Sequence, residues 1–561
     1  MIEPRKSVRE IRPYSPPLEG RRGRVRLDFN ENTSGSGWKT DGVPAEEVAA
    51  YPEYGPFMEE LSASIGLPRE NLMVTNGTGE AIHLIAFTFI EPGVDAALTS
   101  SPTFALIPHN LKLVGAGLIE VPATENFRFD LKAIEAALRR GVKLAILASP
   151  DNPTGATVTP SQVRDWCEGC PETLFVIDEA YAEYGGDSAL PLAAELPNLL
   201  VMRTFSKAWG MAGLRLGLVA GSPRLIEFLM RVRAPYSVNV AAMRAAAELL
   251  KGRAKVEEEA RKLIARRPSL MASLEKRGFV TRASGGNFFL VMCGLDAAPL
   301  CAFLREEGVL VRDQSARPGM RGIVRVTVGT DEENARLLQA VARYRERRAL
   351  IFDLDDTLVD TSRSYDAAVA ELVERHSGAA LADGELSRLR QGGGFNDDWE
   401  AARELLRRRG VEVPLEALAA EGKKIYLPIA RDNEKLVADK ELLGRLSRRA
   451  RLFIFTGRTR AEYEPVWSSE LSPLFEGVFC KDDFDGLPAK PAPDMLRELM
   501  RRERIEAGSY VGNSVDDMRA ARAAGLRAIG VKTTCPEGLL VEAGANVVLE
   551  TVDDMRGAFL L

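Results

Sequence analysis

Two short apolar runs end in residues suited to chemistry between an amine and a carbonyl. Leu174-Phe175-Val176-Ile177 leads into Asp178-Glu179-Ala180-Tyr181, and Leu200-Val201-Met202-Arg203 leads into Thr204-Phe205-Ser206-Lys207. A lysine can form a Schiff base with the aldehyde of pyridoxal phosphate, and a carboxylate can keep the pyridine nitrogen protonated so that the ring withdraws electrons. Lys207 and Asp178 are the candidates for these roles. The phosphate of such a cofactor needs backbone N–H groups at a helix N-terminus, with hydroxyl and guanidinium donors beside them. Thr78 and Gly79, in Asn76-Gly77-Thr78-Gly79-Glu80 ahead of an apolar helical stretch, supply the first, and Ser206 and Arg215 supply the others. Asn152, in Ser149-Pro150-Asp151-Asn152-Pro153-Thr154-Gly155, follows a strand-length run and can donate to the ring hydroxyl, toward which Tyr181 also reaches. Phe104 is a candidate to stack on the ring face. Singly, each fragment has a plain reading as a strand end or a turn. Their joint occurrence, in this order and each after a strand-length run, points to one site.

A chemically different set begins at Phe352-Asp353-Leu354-Asp355-Asp356-Thr357. A carboxylate attacks a phosphoryl group only when negative charge on both partners is masked, as Mg²⁺ does. Asp353 is the candidate nucleophile, and Asp355, two positions on, can project to the same side and protonate the leaving oxygen. Thr456, which ends the run 452–455, and Lys490 are candidate phosphate ligands. Val511-Gly512-Asn513-Ser514-Val515-Asp516-Asp517 forms an acidic end, so Asp353, Asp355, Asn513 and Asp517 are the candidate metal ligands. An amide oxygen at position 513 can coordinate Mg²⁺ but brings no charge, which Asp516 or Asp517 could supply.

These residues must be held by two α/β units. Apolar runs alternate with amphipathic stretches from about 51 to 240, as in a sheet with helices on both faces, and 144–149, 174–177 and 199–203 read as buried strands. Residues 1–44 read as irregular, 245–280 as helical, and 287–292, 309–312 and 322–328 as strands of a smaller lobe. A helix over 334–344 and a charged stretch lead directly into a strand at 349–352. With no flexible linker there, a fixed relation between the halves is expected. Beyond Asp360 the chain reads as helical to about 450, interrupted by Gly392-Gly393-Gly394, and strands return at 452–455, 510–512 and 528–531.

Composition narrows the function. With 561 residues, 45% hydrophobic, 27% charged and a net charge of -6, the chain is ordinary for a water-soluble protein and a poor nucleic-acid binder. No apolar run nears the ~20 residues of a membrane span and Met1–Lys6 has no signal-peptide core, so a cytoplasmic location is expected. Cys167 and Cys170 form a lone CxxC without the second pair a zinc ribbon needs, and read as reduced thiols near a helix end. The three histidines have no metal-site spacing.

The first set resembles the fold-type I pyridoxal-phosphate aminotransferases, and within them the histidinol-phosphate aminotransferases, over about residues 7–345. The likeness is carried by Pro13-Tyr14, Asn30-Glu31-Asn32, Tyr51-Pro52, Asn152-Pro153-Thr154-Gly155, Asp178-Glu179-Ala180-Tyr181, Arg203-Thr204-Phe205-Ser206-Lys207, Gly213-Leu214-Arg215, Val311-Arg312-Asp313 and Arg325-Val326-Thr327. It implies Lys207 as Schiff-base lysine and proton shuttle, and Thr204 among the cofactor contacts. It implies that Tyr51 reaches the cofactor phosphate of a neighbouring subunit, hence a homodimer, and that Tyr14, Asn32, Arg312 and Arg325 bind the substrates, with Arg325 on the carboxylate of glutamate. Thr33 stands where that family usually has Pro, and Phe104 where it usually has Tyr. Threonine-phosphate decarboxylases and aminotransferases of other 2-oxo acids are the alternatives.

The second set is similar to the haloacid-dehalogenase-like phosphatases over about 349–550, although position 513 is usually Asp in that family. The expected fold is a large mixed-sheet transferase domain (45–240) with a small α/β lobe, the whole spanning 1–347. A Rossmann-like hydrolase domain follows at 348–561, with a helical cap over about 362–448. Gly393–Trp399 reads as a cap loop touching the substrate, or equally as a structural turn. Together the two likenesses imply transamination giving histidinol phosphate, followed by hydrolysis of that phosphomonoester. A second half with another specificity, or one that no longer turns over, is the alternative.

Overall fold

The computed structural model describes residues 6–9, 16–17, 19–33, 35, 43–395 and 397–561. Its described residues divide into two compact units, Met1–Glu275 with Val280–Leu338, and Lys276–Phe279 with Gln339–Leu561.

In the first unit, Leu144–Ala148, Leu174–Asp178 and Gly217–Gly221 are buried along their whole length, and Leu199–Thr204 nearly so. Strands apolar on both faces need cover on both faces, which amphipathic helices provide. They lie in a seven-stranded sheet with the order Leu72–Thr75, Gly217–Gly221, Leu199–Thr204, Leu174–Asp178, Leu144–Ala148, Ala96–Ser101, Gly117–Pro122. Only Gly217–Gly221 runs antiparallel to its neighbours. The predicted strands match within a residue or two, and four of the seven had no clear sequence signal.

The smaller lobe holds a four-stranded antiparallel sheet, Arg312–Asp313, Ile323–Thr327, Phe288–Met292 and Val280–Ala283. The single strand expected at 309–312 is in fact two, because Val309–Leu310 pairs with Val25–Arg26 instead. The stretch 245–280 also breaks: helices Val240–Lys251 and Arg253–Glu275 meet at Gly252, and Val280 already belongs to a strand.

In the second unit, Arg348–Phe352 begins directly after the helix Asp331–Arg347. It sits centrally in a wholly parallel sheet ordered Gly477–Cys480, Arg451–Thr456, Arg348–Phe352, Ala507–Gly512, Arg527–Val531, Val547–Leu549. Four helices, Tyr365–Ser377, Glu385–Gln391, Asp398–Arg408 and Leu415–Asn433, build a separate core around Trp399, Tyr365 and Tyr426. A short antiparallel pair, Val359–Asp360 with Lys435–Leu436, gathers both ends of this insertion. The next helix, Lys440–Arg449, packs on the strand Arg451–Thr456, so the helical insertion closes near 434 rather than 448.

Candidate active sites

The first site lies at the carboxyl ends of the parallel strands, where an open α/β sheet places its ligands. Asp178 is the last residue of its strand, and Lys207 follows Leu199–Thr204 by three residues. Burial pushes the Asp178 carboxyl up to about 7, and its Oδ1 has no hydrogen-bond partner among the described residues. Burial, with Arg325 adding to it, brings the Lys207 amine down to about 8. Lys207 Nζ donates to the Phe29 carbonyl at 2.8 Å and stands 5.6 Å from the Tyr181 ring. The Tyr181 hydroxyl accepts from Asn30 Nδ2 at 3.0 Å.

The phosphate end is built by close approach. Gly77 opens the helix Gly77–Phe89 with φ +75°, and a Cβ there would come within 2.4 Å of the Arg215 guanidinium. Arg215 itself holds φ +59° and donates to Ser206 Oγ at 3.3 Å. Thr78 and Gly79 lie in the first turn of the same helix. The Thr204 hydroxyl serves its own loop, accepting from the Ser206 amide at 3.1 Å. Asn152 Oδ1 accepts from Arg325, and Asp151 beneath it accepts from Thr154 Oγ1 at 2.6 Å, fixing the turn.

Arg312 and Arg325 are direct cross-strand partners. Like charges so placed repel, and burial plus Arg312 holds the Arg325 guanidinium down to about 10. Such a pair is stable when an anion lies between or above it. Asn32 donates to the Ala208 carbonyl at 3.0 Å, bracing the loop that carries Lys207. Phe104 is half-buried against the large core, and Tyr51 is 75% exposed with its ring on Tyr236 at 4.2 Å. Tyr14 lies outside the described residues. Cys167 lies inside the helix Pro160–Gly169 and Cys170 ends it, both as free thiols.

In the second unit, Asp353 follows the central strand, and its Oδ1 accepts from Lys490 at 2.6 Å. Lys490 also donates to Asp517 at 2.8 Å and to the Tyr510 hydroxyl at 2.8 Å. Burial, reinforced by Asp517 and Asp355, raises the Asp353 carboxyl against the pull of Lys490. Asp355 accepts from Arg458 Nε at 2.9 Å and from Thr456 at 3.3 Å. Asn513 Oδ1 accepts from Thr357 at 3.2 Å while its Nδ2 donates to Thr534 at 2.8 Å. A cavity of about 520 Å³ opens in front of these groups and extends to Phe395, Asp397, Asp398 and Trp399 of the insertion; Asn396 lies outside the described residues.

Arg458 is the member of this site that sequence reading missed. It is 2% exposed and bridges Asp355 to Tyr426 (2.6 Å) and Glu434 (3.1 Å). Glu434 in turn accepts from Ser364, Tyr426 and Trp467. Arg458→Met would leave Asp355 and the fully buried Glu434 uncompensated. The expected cost is about 3–5 kcal/mol, read as a lowered urea midpoint of the second unit in the full chain.

Comparison with known proteins places both halves. Residues 45–341 match the family model for aminotransferase class I and II, and residues 347–525 match that for haloacid dehalogenase-like hydrolase. A histidinol-phosphate aminotransferase of Anaeromyxobacter sp. (strain Fw109-5) is 35% identical over 355 residues, covering 60% of this chain and 97% of that protein. The chain belongs to the class I and II aminotransferases. Joined to its aminotransferase part is a haloacid dehalogenase-like hydrolase domain, so the polypeptide is a fusion. The histidinol-phosphate aminotransferase of Escherichia coli O9:H4 (strain HS) is 33% identical over 346 residues, or 60% of this chain and 96% of that one. Among solved structures, the histidinol-phosphate aminotransferase from Sinorhizobium meliloti in complex with pyridoxal-5'-phosphate aligns with a TM-score of 0.53 and 25% identity, over 57% of this chain and 90% of that one.

The aminotransferase residues fit pyridoxal phosphate. The unpartnered buried Asp178 Oδ1 calls for a cationic N–H, and the Gly77–Arg215 approach leaves a cradle of donors that a Cβ would fill. In cofactor-free protein the neutral amine of Lys207 grows as pH rises through about 8, well below the 10.5 of a free lysine. Acetylation of Lys207 by limiting reagent, followed by mass spectrometry, is therefore expected to inflect near pH 8. An inflection near 10.5 would contradict the burial argument. Among the described residues no helix is long and apolar enough to cross a membrane.

Proposed function

We propose that the aminotransferase converts imidazole-acetol phosphate and glutamate into histidinol phosphate and 2-oxoglutarate, and that the hydrolase domain then releases histidinol and phosphate. The observation that carries the first step is the register pairing of Arg312 with Arg325 beside Lys207. A phosphate on the acceptor and a carboxylate on glutamate are the anions that such a pair accommodates. The names of the relatives support the same substrate.

Pyridoxal phosphate, when bound, supplies the aldehyde and the electron-withdrawing ring. Asp178 keeps the ring nitrogen protonated, Asn152 and Tyr181 address the ring oxygen, and Ser206, Thr78, Gly79 and Arg215 hold the phosphate. The Lys207 amine would take the substrate α-proton at Nζ and hold it for return. Its lowered basicity raises the neutral fraction near neutral pH far above that of a free lysine, and proton abstraction needs the neutral amine. Tyr51, exposed on its own chain, completes the phosphate site of a second copy in a homodimer, and the fusion works in the cytoplasm.

In the hydrolase domain an Asp353 oxygen attacks phosphorus, and the bond to the alcohol breaks as Asp355 gives its proton to the leaving oxygen. Asp355 then takes a proton from water as the water oxygen attacks phosphorus, the bond to Asp353 breaks, and inorganic phosphate leaves with the carboxylate regenerated. Three carboxyl groups, Asp353, Asp355 and Asp517, are gathered around Lys490 and Arg458, so added positive charge fits here. Asp353, the amide oxygen of Asn513 and Asp517 would hold Mg²⁺, which neutralises charge on the phosphoryl oxygens. No three acidic, His or Cys side chains among the described residues form a ready-made metal cage. The domains are assigned as 1–347 and 348–561.

Paired acceptors test the first step. Imidazole-acetol phosphate is expected to react at least about a hundredfold faster, by kcat/KM, than the same ketone without its phosphate. Equal rates would overturn the substrate assignment.

A further inference from the structure

The chamber over Asp353 is unusual in its charge. Nine carboxyl groups but only three cations line its roughly 520 Å³. All three cations are already engaged: Arg390 by Asp366 (2.7 Å) and Asp398, Lys481 by Asp397 (2.5 Å), Arg458 by Asp355 and Glu434. Where the insertion meets the acidic loop, Asp516 takes the Gly394 amide on Oδ2 at 2.7 Å. It is 2% exposed, and its Oδ1 has no hydrogen-bond partner among the described residues, with the Arg519 guanidinium 3.9 Å away. The aromatic rings of Tyr365, Phe395 and Trp399 complete the wall.

A phosphomonoester enters with its dianion toward Lys490, so the remainder of the substrate occupies the part of the chamber formed by the insertion. A carboxylate at that end would add to a wall in which carboxyl groups outnumber cations, and a neutral hydrocarbon would strand the buried polar wall. A protonated amine satisfies both the charge and the aromatic faces. We infer that the hydrolase domain selects phosphomonoesters whose leaving alcohol carries a cationic amine, with Asp397 and Asp398 reading that charge. The inference rests on the hydrolase reading above and extends it from one ester to a class.

Asp397 and Asp398 are suited to test by amide substitution. Asp397 caps the helix Asp398–Arg408 by accepting from the Trp399 and Glu400 amides, a role Asn also fills. Arg390 keeps Asp366 when Asp398 is changed. The full chain with Mg²⁺ would be assayed for phosphate release from histidinol phosphate, its N-acetyl derivative, two simple 2-aminoalkyl phosphates and their 2-hydroxyalkyl counterparts, with 4-nitrophenyl phosphate as a charge-free control. Amino esters are expected to exceed their neutral partners at least about tenfold in kcat/KM. In D397N and D398N that preference should collapse through the KM of the amino esters, with their kcat changing less than their KM.

Turnover of histidinol phosphate with no preference over its N-acetyl derivative would overturn the inference and leave the pathway reading intact. Hydrolysis of the simple aminoalkyl phosphates but not histidinol phosphate would do the reverse. Release from none of the esters would overturn both readings, and a preference unchanged in both variants would overturn the inference alone.

Discussion

Lys207→Ala is expected to lower transamination by about 10³–10⁴-fold while phosphate release from added histidinol phosphate stays within about twofold of the unaltered chain. Two physical effects combine in this loss. On the proposed reading, one amine serves both to hold the cofactor and to move the substrate α-proton. Its neighbour Tyr181 is held by Asn30, so it cannot swing in as a substitute base. The readouts are 2-oxoglutarate formed from glutamate and the mass added to residue 207 after borohydride reduction. Transamination within tenfold of wild type would show that another group moves the proton.

Asp353→Asn is expected to abolish phosphate release by on the order of a million-fold, as loss of a covalent nucleophile does in other hydrolases, and to leave transamination unchanged. Asn matches Asp in size, and Lys490 retains Asp517 and the Tyr510 hydroxyl, so the fold should persist. The diagnostic result is accumulation of histidinol phosphate when the variant receives glutamate and imidazole-acetol phosphate. Continued phosphate release would move the nucleophile elsewhere.

Groups that do their work at the end of a buried strand were legible in the residues themselves. Asp178, Lys207, Asp353 and Thr456 each follow an apolar run, and the period of those runs is a local property. What escaped reading depends on pairing across long separations. Arg458 meets Asp355 across 103 residues and Glu434 across 24. Its only signal is its place two residues after Thr456. The Arg312–Arg325 register likewise follows from a turn between two strands rather than from either strand alone, and the split of 309–312 from the pairing of Val309–Leu310 with the distant Val25–Arg26 in a separate sheet. The insertion was expected to run to 448 because Lys440–Arg449 is as amphipathic as the helices before it. The choice of which hydrophobic surface such a helix covers is tertiary.

The most direct test of two sites acting in succession on one phosphomonoester is a single-pot time course with the intact chain, imidazole-acetol phosphate, glutamate and Mg²⁺. 2-Oxoglutarate and inorganic phosphate are expected to appear in equal final amounts, with histidinol phosphate rising and falling between them. Full formation of 2-oxoglutarate with histidinol phosphate left intact, while other phosphomonoesters are hydrolysed by the same preparation, would contradict that account.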